Sequence, residues 1–209
     1  MHDPGAALDR GLAELGQRLP PGAAEKLLAY LELLAKWNRT YNLTAIRDPL
    51  KMVSHHLLDS LAVRPHLPAG PLADVGSGAG LPGIALAIAE PERRVTLNDA
   101  NQKKAAFLQQ AVIELRLANA DVHAGRVQAW RPAPRFACVT ARGFADLAQL
   151  VTDCRHLLQP GGVLAAMKGV LPSAELARVP PDADCADVRR LHVPMLQAER
   201  HLVLCRCVA

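Results

Sequence analysis

Residues 73–83 read ADVGSGAGLPG and join a short apolar run, Leu72–Val75, to a helix-forming run, Ile84–Ala89. A strand ending in an acid and turning through glycines 76, 78 and 80 into a helix is a strand–turn–helix unit, which points to an α/β fold. The same texture continues downstream. Strands are expected at Leu72–Val75, Arg94–Asn98, Ala120–Ala124, Phe136–Ala141 and Val163–Lys168, with helices at Leu81–Ala89, Lys103–Leu117 and Asp146–Leu158. That alternation implies a mostly parallel sheet wrapped by helices on both faces. Two further strands, Leu191–Met195 and His201–Cys207, lie too close together for a parallel crossover and should form an antiparallel hairpin at one edge. Ahead of the sheet the chain reads as helices. Leu8, Leu12 and Leu15 recur at helical spacing, then Leu27, Leu28, Leu31 and Leu34, and then the run from Leu50 to Val63. The expected organisation is a helical extension over 1–68 and an α/β domain over 69–209, packed as one unit.

Gly78-x-Gly80-x-x-Gly83 matches the dinucleotide fingerprint, but the register argues against a dinucleotide. With the strand ending at Val75, Gly76 opens the turn and Asp74 stands just before it. An acid there is a poor neighbour for a pyrophosphate, which prefers a bare helix N-terminus. It suits a ligand carrying an ammonium and a sulfonium and no phosphate, namely S-adenosyl-L-methionine. Asp99, at the end of the next strand and about 20 residues past the glycines, is placed to accept from ribose hydroxyls. NAD enzymes use the same acid, so Asp99 marks an adenosine-type cofactor without distinguishing which.

A chain half apolar and 21% charged is an ordinary globule, and it contains no apolar run near the ~20 residues that span a bilayer. The N-terminal MHDPGAALDR is not a secretory leader, so a cytoplasmic protein is expected. Five cysteines without a C-x-x-C pair read as free thiols, with no metal site. A net charge of +4 permits a polyanionic partner, while 3% aromatics argues against a broad base-stacking platform.

Four stretches together, WNRTYNLTAIRD (37–48), HHLLDS (55–60), DVGSGAGLPG (74–83) and ERHLV (199–203), resemble the RsmG (GidB) family over nearly the whole chain. The resemblance implies a class I methyltransferase fold, a seven-stranded sheet with a helical N-terminal extension. It also implies S-adenosylmethionine-dependent methylation of guanine N7 in bacterial 16S rRNA, with rRNA or the small ribosomal subunit as partner; a monomer is expected. Carried over residue by residue, Gly76 and Leu81 match loop positions that touch the cofactor, Val127 and Gln128 match the pair flanking the adenine, and Arg142 matches the arginine bordering the site. This chain departs from the pattern at Gln128, where many relatives have an acid, and at His55, where they have arginine or lysine.

The chemistry read from the residues agrees. Guanine N7 presents a free lone pair, so no general base is needed and catalysis reduces to positioning. The Asn/Asp-Pro-Pro-Tyr/Phe motif of exocyclic-amine methylation is replaced by Ala141-Arg142-Gly143-Phe144, and Cys138 lies inside a strand, away from where a C5 nucleophile would act. From the residues, the expected cofactor contacts are Asp74, Gly76, Gly78, Gly80 and Asp99, and the resemblance adds Leu81, Val127, Gln128 and Arg142. Arg47, His56, Arg126, Lys168 and Arg200 are the expected RNA contacts. Two other readings stand beside this one: an NAD(P)-binding oxidoreductase, and a non-catalytic ribosome-binding module with a relic pocket.

Overall fold

Asp3 opens the first helix, α1 (Pro4–Glu14), its carboxylate accepting from Gly5 N at 3.0 Å and Ala6 N at 3.2 Å, with proline in the first turn. The computed structural model describes residues 3–144 and 146–207. α2 (Ala23–Tyr41) buries Leu27, Tyr30, Leu31 and Leu34 along one face. The third helical run is not uniform. α3 (Pro49–Met52) passes into a π-helical turn, Val53–Leu58, before α4 (Asp59–Ala62). Such wide turns break the regular bond ladder and recur at functional sites.

The sheet follows the order β3-β2-β1-β4-β5-β7-β6. β1 (Leu72–Val75), β2 (Val95–Asp99), β3 (Ala120–Ala124), β4 (Phe136–Arg142) and β5 (Leu158–Lys168) run parallel, and β7 (His201–Cys207) is antiparallel to both β5 and β6 (Ala183–Arg190). Between them lie α5 (Gly83–Ala89), α6 (Gln102–Glu114), α7 (Leu147–Cys154) and the short α8 (Ser173–Leu176). The chain builds outward from β1 to β3, then returns to place β4 on β1's other side. That reversal opens a crevice at the carboxyl ends of β1 and β4, where ligands bind in open α/β sheets.

Two apolar layers sandwich the sheet. One joins Leu8, Leu27, Leu57 and Leu61 of the extension to Leu86, Phe107 and Leu202 in a single cluster, so the sequence boundary at 68/69 is crossed by continuous packing. The other packs Leu150 and Val151 of α7 on Val75, Val139 and Val203.

Two expectations need correction. The penultimate strand is Ala183–Arg190, and residues 191–195 lie in the connection to β7. Leu191 and Val193 are buried and so mimic a strand pattern, but Pro194 lacks an amide to donate and Met195 sits at φ 60°. The true strand is charged on its open side, as edge strands are, which hides it from a hydrophobic pattern. The cysteines are not all free thiols either. Cys185 and Cys205 meet across the antiparallel β6–β7 pair, Cα atoms 4.1 Å apart, and form a disulfide; Cys138, Cys154 and Cys207 are free. Strand pairing brings the two together from 20 residues apart, which spacing alone does not reveal.

Candidate active site

The turn after β1 passes through three left-handed glycines, Gly76 (φ 63°), Gly78 (φ 58°) and Gly80 (φ 90°). Gly80 is packed from within, and a Cβ there would collide with the Ile84 side chain. Gly78 differs. A Cβ there meets nothing closer than the Gly76 carbonyl at 3.8 Å, so its free face opens away from the protein.

Asp74 does not face that crevice. Its side chain is fully buried beneath the loop, where Oδ2 accepts from Gly83 N at 3.0 Å and Oδ1 accepts from the Thr140 hydroxyl at 3.1 Å. Burial raises its carboxyl to about 6, against the hydrogen bonds from Ser77, Gly83 and Thr140, which pull it down. The expected ligand contact is therefore corrected: Asp74 fastens the loop to α5 and β4. The acid already holds the first amide of α5, which leaves that amide closed to a pyrophosphate.

Asp99 supports the loop from the next strand. Oδ2 accepts from Gly78 N at 2.9 Å and Oδ1 from Asn101 N at 2.8 Å, and each carboxylate oxygen retains a second lone pair. Asn98 donates to the carbonyls of His123 and Gly125, drawing the end of β3 alongside. The turn 127–129 follows, with Val127 buried and Gln128 exposed. Gln128 Nε2 donates to Asp153 of α7 at 3.0 Å, so its side chain leans toward that helix and lines a groove with Arg131, Arg135 and Asp153. Leu81 is buried in the same cluster as the extension. Tyr30 on α2, to which sequence reading assigned no role, donates its hydroxyl to Ala79 O at 2.6 Å from a fully buried position. Its only sequence signal is a phenol on a face otherwise made of leucines.

Beyond β4 lies a cleft of about 510 Å³ lined by His55, His56, Asp59, Arg142, Phe144, Lys168 and Arg200, among others. Asp59 is its buried anchor. Oδ2 accepts from Arg142 Nη1 at 3.2 Å and Oδ1 from Arg200 Nε at 2.7 Å. Arg142 Nη1 also donates to the His55 carbonyl at 3.0 Å, inside the π-turn. Lys168 donates to Phe144 O and to Glu175, so its charge is already paired. His56 does not bond Asp59. Its Nε2 lies 2.9 Å from the Thr44 hydroxyl, and its Nδ1 is buried with no partner among the described residues. Two expected RNA residues lie apart from this cleft. Arg47 lines a separate groove with Leu28, Leu31 and Pro49, because the loop carrying it folds back against α2. Arg126 is exposed after β3, on the cofactor half of the sheet. Trp37 is partly buried against the core and packs on Phe107 of α6, with ring centroids 5.6 Å apart.

The family model described as "rRNA small subunit methyltransferase G" (GidB) matches residues 23–203. The chain belongs to the GidB family. Among curated relatives, the ribosomal RNA small subunit methyltransferase G of Neisseria meningitidis serogroup A is 52% identical over 94% of this chain and 95% of its own length. The protein of the same description from Methylobacillus flagellatus is 53% identical over 94% and 95%. Solved structures share the fold at lower identity. TrmN from Thermus thermophilus matches with TM-score 0.53 and 20% identity over 82% of this chain and 53% of its own. The DhpI–SAH complex matches with TM-score 0.55 and 17% identity over 90% and 98%. The fold is thus the class I methyltransferase fold, with the C-terminal antiparallel strands expected of it.

In this GidB-family chain the crevice fits S-adenosyl-L-methionine on the protein's own terms. The face of Gly78 is open where a Cβ would intrude, Asp99 retains acceptor capacity for a diol, and the first amide of α5 is already taken by Asp74. Tyr30→Phe tests the loop's support from below. Losing the hydroxyl strands a buried carbonyl, and the fold should lose about 1–2 kcal/mol. Calorimetry with S-adenosylhomocysteine should show several-fold weaker binding, and an unchanged affinity would remove Tyr30 from the site.

His56 makes the site sensitive to acid. Burial first, and the Arg142 charge second, lower its pKa from 6.5 to about 4. A histidine that resists protonation in the fold contributes stability above about pH 6.5, and that contribution is lost as pH falls toward 4. Asp74, raised to about 6, works in the opposite sense over part of the same window. Comparison with His56→Gln separates the two. Between pH 7.5 and 5 the stability difference should move by about 2 kcal/mol in the variant's favour. Parallel Tm–pH curves for the two proteins would refute this assignment.

Proposed function

We propose that this chain transfers a methyl group from S-adenosyl-L-methionine to N7 of a guanine in 16S rRNA, acting as a single chain in the cytoplasm on rRNA or the small ribosomal subunit. Membership of the GidB family supports the reaction class. The observation that carries the choice of atom is the cleft's make-up: two guanidinium groups, with the lining carboxylates Asp59 and Glu175 already paired to cations. Cys138, the cysteine of β4, is buried and its thiol is pushed up to about 12, so it cannot serve as a C5 nucleophile. His56, held near 4, is a weak base at neutral pH.

When bound, S-adenosyl-L-methionine supplies an electrophilic sulfonium methyl. The chain's own residues do the rest. Loop backbone at Gly76–Gly80 gives close approach, Asp99 accepts from the ribose hydroxyls, and Val127 offers an apolar wall to the adenine. Arg142 borders both the cofactor and the incoming base, and its fixed fork orients the nucleotide without removing a proton. Guanine N7 needs no deprotonation, so holding it in line with the breaking bond is the chain's task.

The oxidoreductase reading is disfavoured by the occupied first amide of α5. Among the described residues no helix is long and apolar enough to cross a membrane and no cluster of potential metal ligands occurs. The decisive experiment compares N7-methylguanosine in 16S rRNA from cells with and without the gene, then restores it with purified protein, cofactor and small subunits. Identical methylation in both strains would reject the reading, and cofactor binding without transfer to any form of the subunit would favour a non-catalytic module.

A further inference from the structure

Asp59 is the most buried carboxylate facing the cleft, its side chain 3% exposed, and it is shared by two arginines at the strands on either side of β5. Arg142 ends β4, Arg200 immediately precedes β7, and Asp59 begins α4 of the helical extension. One carboxylate against two guanidinium groups leaves a net positive charge. Donors remain as well. Arg142 spends only Nη1, on Asp59 and the His55 carbonyl. Arg200 spends Nε on Asp59 and Nη1 on its neighbour's carbonyl, Glu199 O. Arg142 Nε and Nη2 and Arg200 Nη2 have no partner among the described residues, and the two side chains are 25% and 22% exposed. The forks are thus pinned at one end and open toward the cleft at the other.

We propose that Asp59 is a positioning residue that presents Arg142 and Arg200 as a two-pronged clamp for a phosphodiester of the RNA strand carrying the target guanosine. This rests on the functional reading above and deepens it. The cofactor's carboxylate is an anion of the same general kind, but the sheet order argues for the strand. Arg200 enters at β7, three strand spacings from β1, roughly 14 Å across from the glycine loop. Arg142 lies on the strand next to β1, while Arg200 enters two strands farther out, away from the glycine loop. Planar guanidinium forks match phosphate oxygens in paired hydrogen bonds, and an arginine already fixed by a buried acid loses little freedom on binding. The two prongs would fix the backbone next to the base without occupying N7.

The test measures binding of small ribosomal subunits from cells lacking the gene, as a function of salt, together with S-adenosylhomocysteine affinity by calorimetry. Each phosphate contact contributes about 0.7–0.9 to the slope of log affinity against log salt. Arg200→Gln should lower that slope by about one contact and weaken subunit binding about tenfold, with S-adenosylhomocysteine affinity unchanged. Arg200→Lys should keep the slope and lose part of the affinity, because charge remains while the fork is gone. Asp59→Asn should raise KM for subunits more than it lowers kcat. An unaltered salt slope for Arg200→Gln, with wild-type protein binding and methylating normally, overturns the clamp alone. So does loss of S-adenosylhomocysteine affinity in that variant, which would assign Arg200 to the cofactor. If wild-type protein neither binds nor methylates the subunits, the functional reading fails and the clamp with it. Should Asp59→Asn melt too low to assay, the two Arg200 variants decide alone.

Discussion

Gly78→Val should abolish measurable cofactor binding while leaving a folded protein. The residue sits at φ 58°, where a β-branched side chain is strained, and the cost is roughly 1–2 kcal/mol or somewhat more. A domain of ordinary stability survives that. What the crevice cannot accommodate is the side chain itself. The new Cβ meets no protein atom within 3.8 Å and so projects into the space a ligand would fill. Calorimetry with S-adenosylhomocysteine is expected to show at least a hundredfold loss, and Gly78→Ala an intermediate one. The contrast with Gly80 is instructive. Substitution there strikes Ile84 and should lower Tm first, with binding lost as a consequence. If Gly78→Val bound the ligand normally, the crevice would lie elsewhere.

Arg142→Ala carries the second large effect. It removes the side chain that joins β4 to the π-turn through His55 O and to Asp59, and it leaves Asp59 with Arg200 alone. Because Asp59 keeps one partner, it does not become an uncompensated buried charge, and the fold should persist. Turnover should not. Loss of a group that orients the reacting base is expected to cut kcat/KM by about 10²-fold or more, since small misplacements are costly when catalysis is positional. Tm within a few degrees of wild type with a collapsed rate is the expected pair of results. Arg142→Lys should restore little, because one ammonium cannot reproduce the fork. An unchanged rate for Arg142→Ala would take this arginine out of the reaction.

Much of this architecture was legible from local pattern. The parallel strands, the helices between them and the glycine turn are marked by short-range periodicity and by residue types whose backbone preferences act over a few positions. Leu72–Val75, Ala120–Ala124 and His201–Cys207 fall at the bounds their sequence suggests. Asp99 at the end of β2 follows from the same local logic, because strand length and turn position alone place it beside the loop. Family motifs carried the reaction class, which no periodicity encodes.

The sequence by itself determined the fold class, the position of the crevice along the chain and the residue types that line it. Only the tertiary structure decided which way those side chains face and what they hold. Asp74 turns under the loop, since Gly83 N and Thr140 offer partners that a ligand would otherwise have to supply. Gln128 leans to Asp153, Arg47 falls into another groove, and the charged strand β6 displaces the apolar stretch that imitated it. Asp59, Arg142 and Arg200 become one unit although 83 and 141 residues separate the acid from its two partners. The physical reason is common to all of these. Backbone conformation is set mainly by neighbours in sequence, whereas the pairing of a buried polar group is settled by whichever partner the packed strands and helices bring within 3 Å or so.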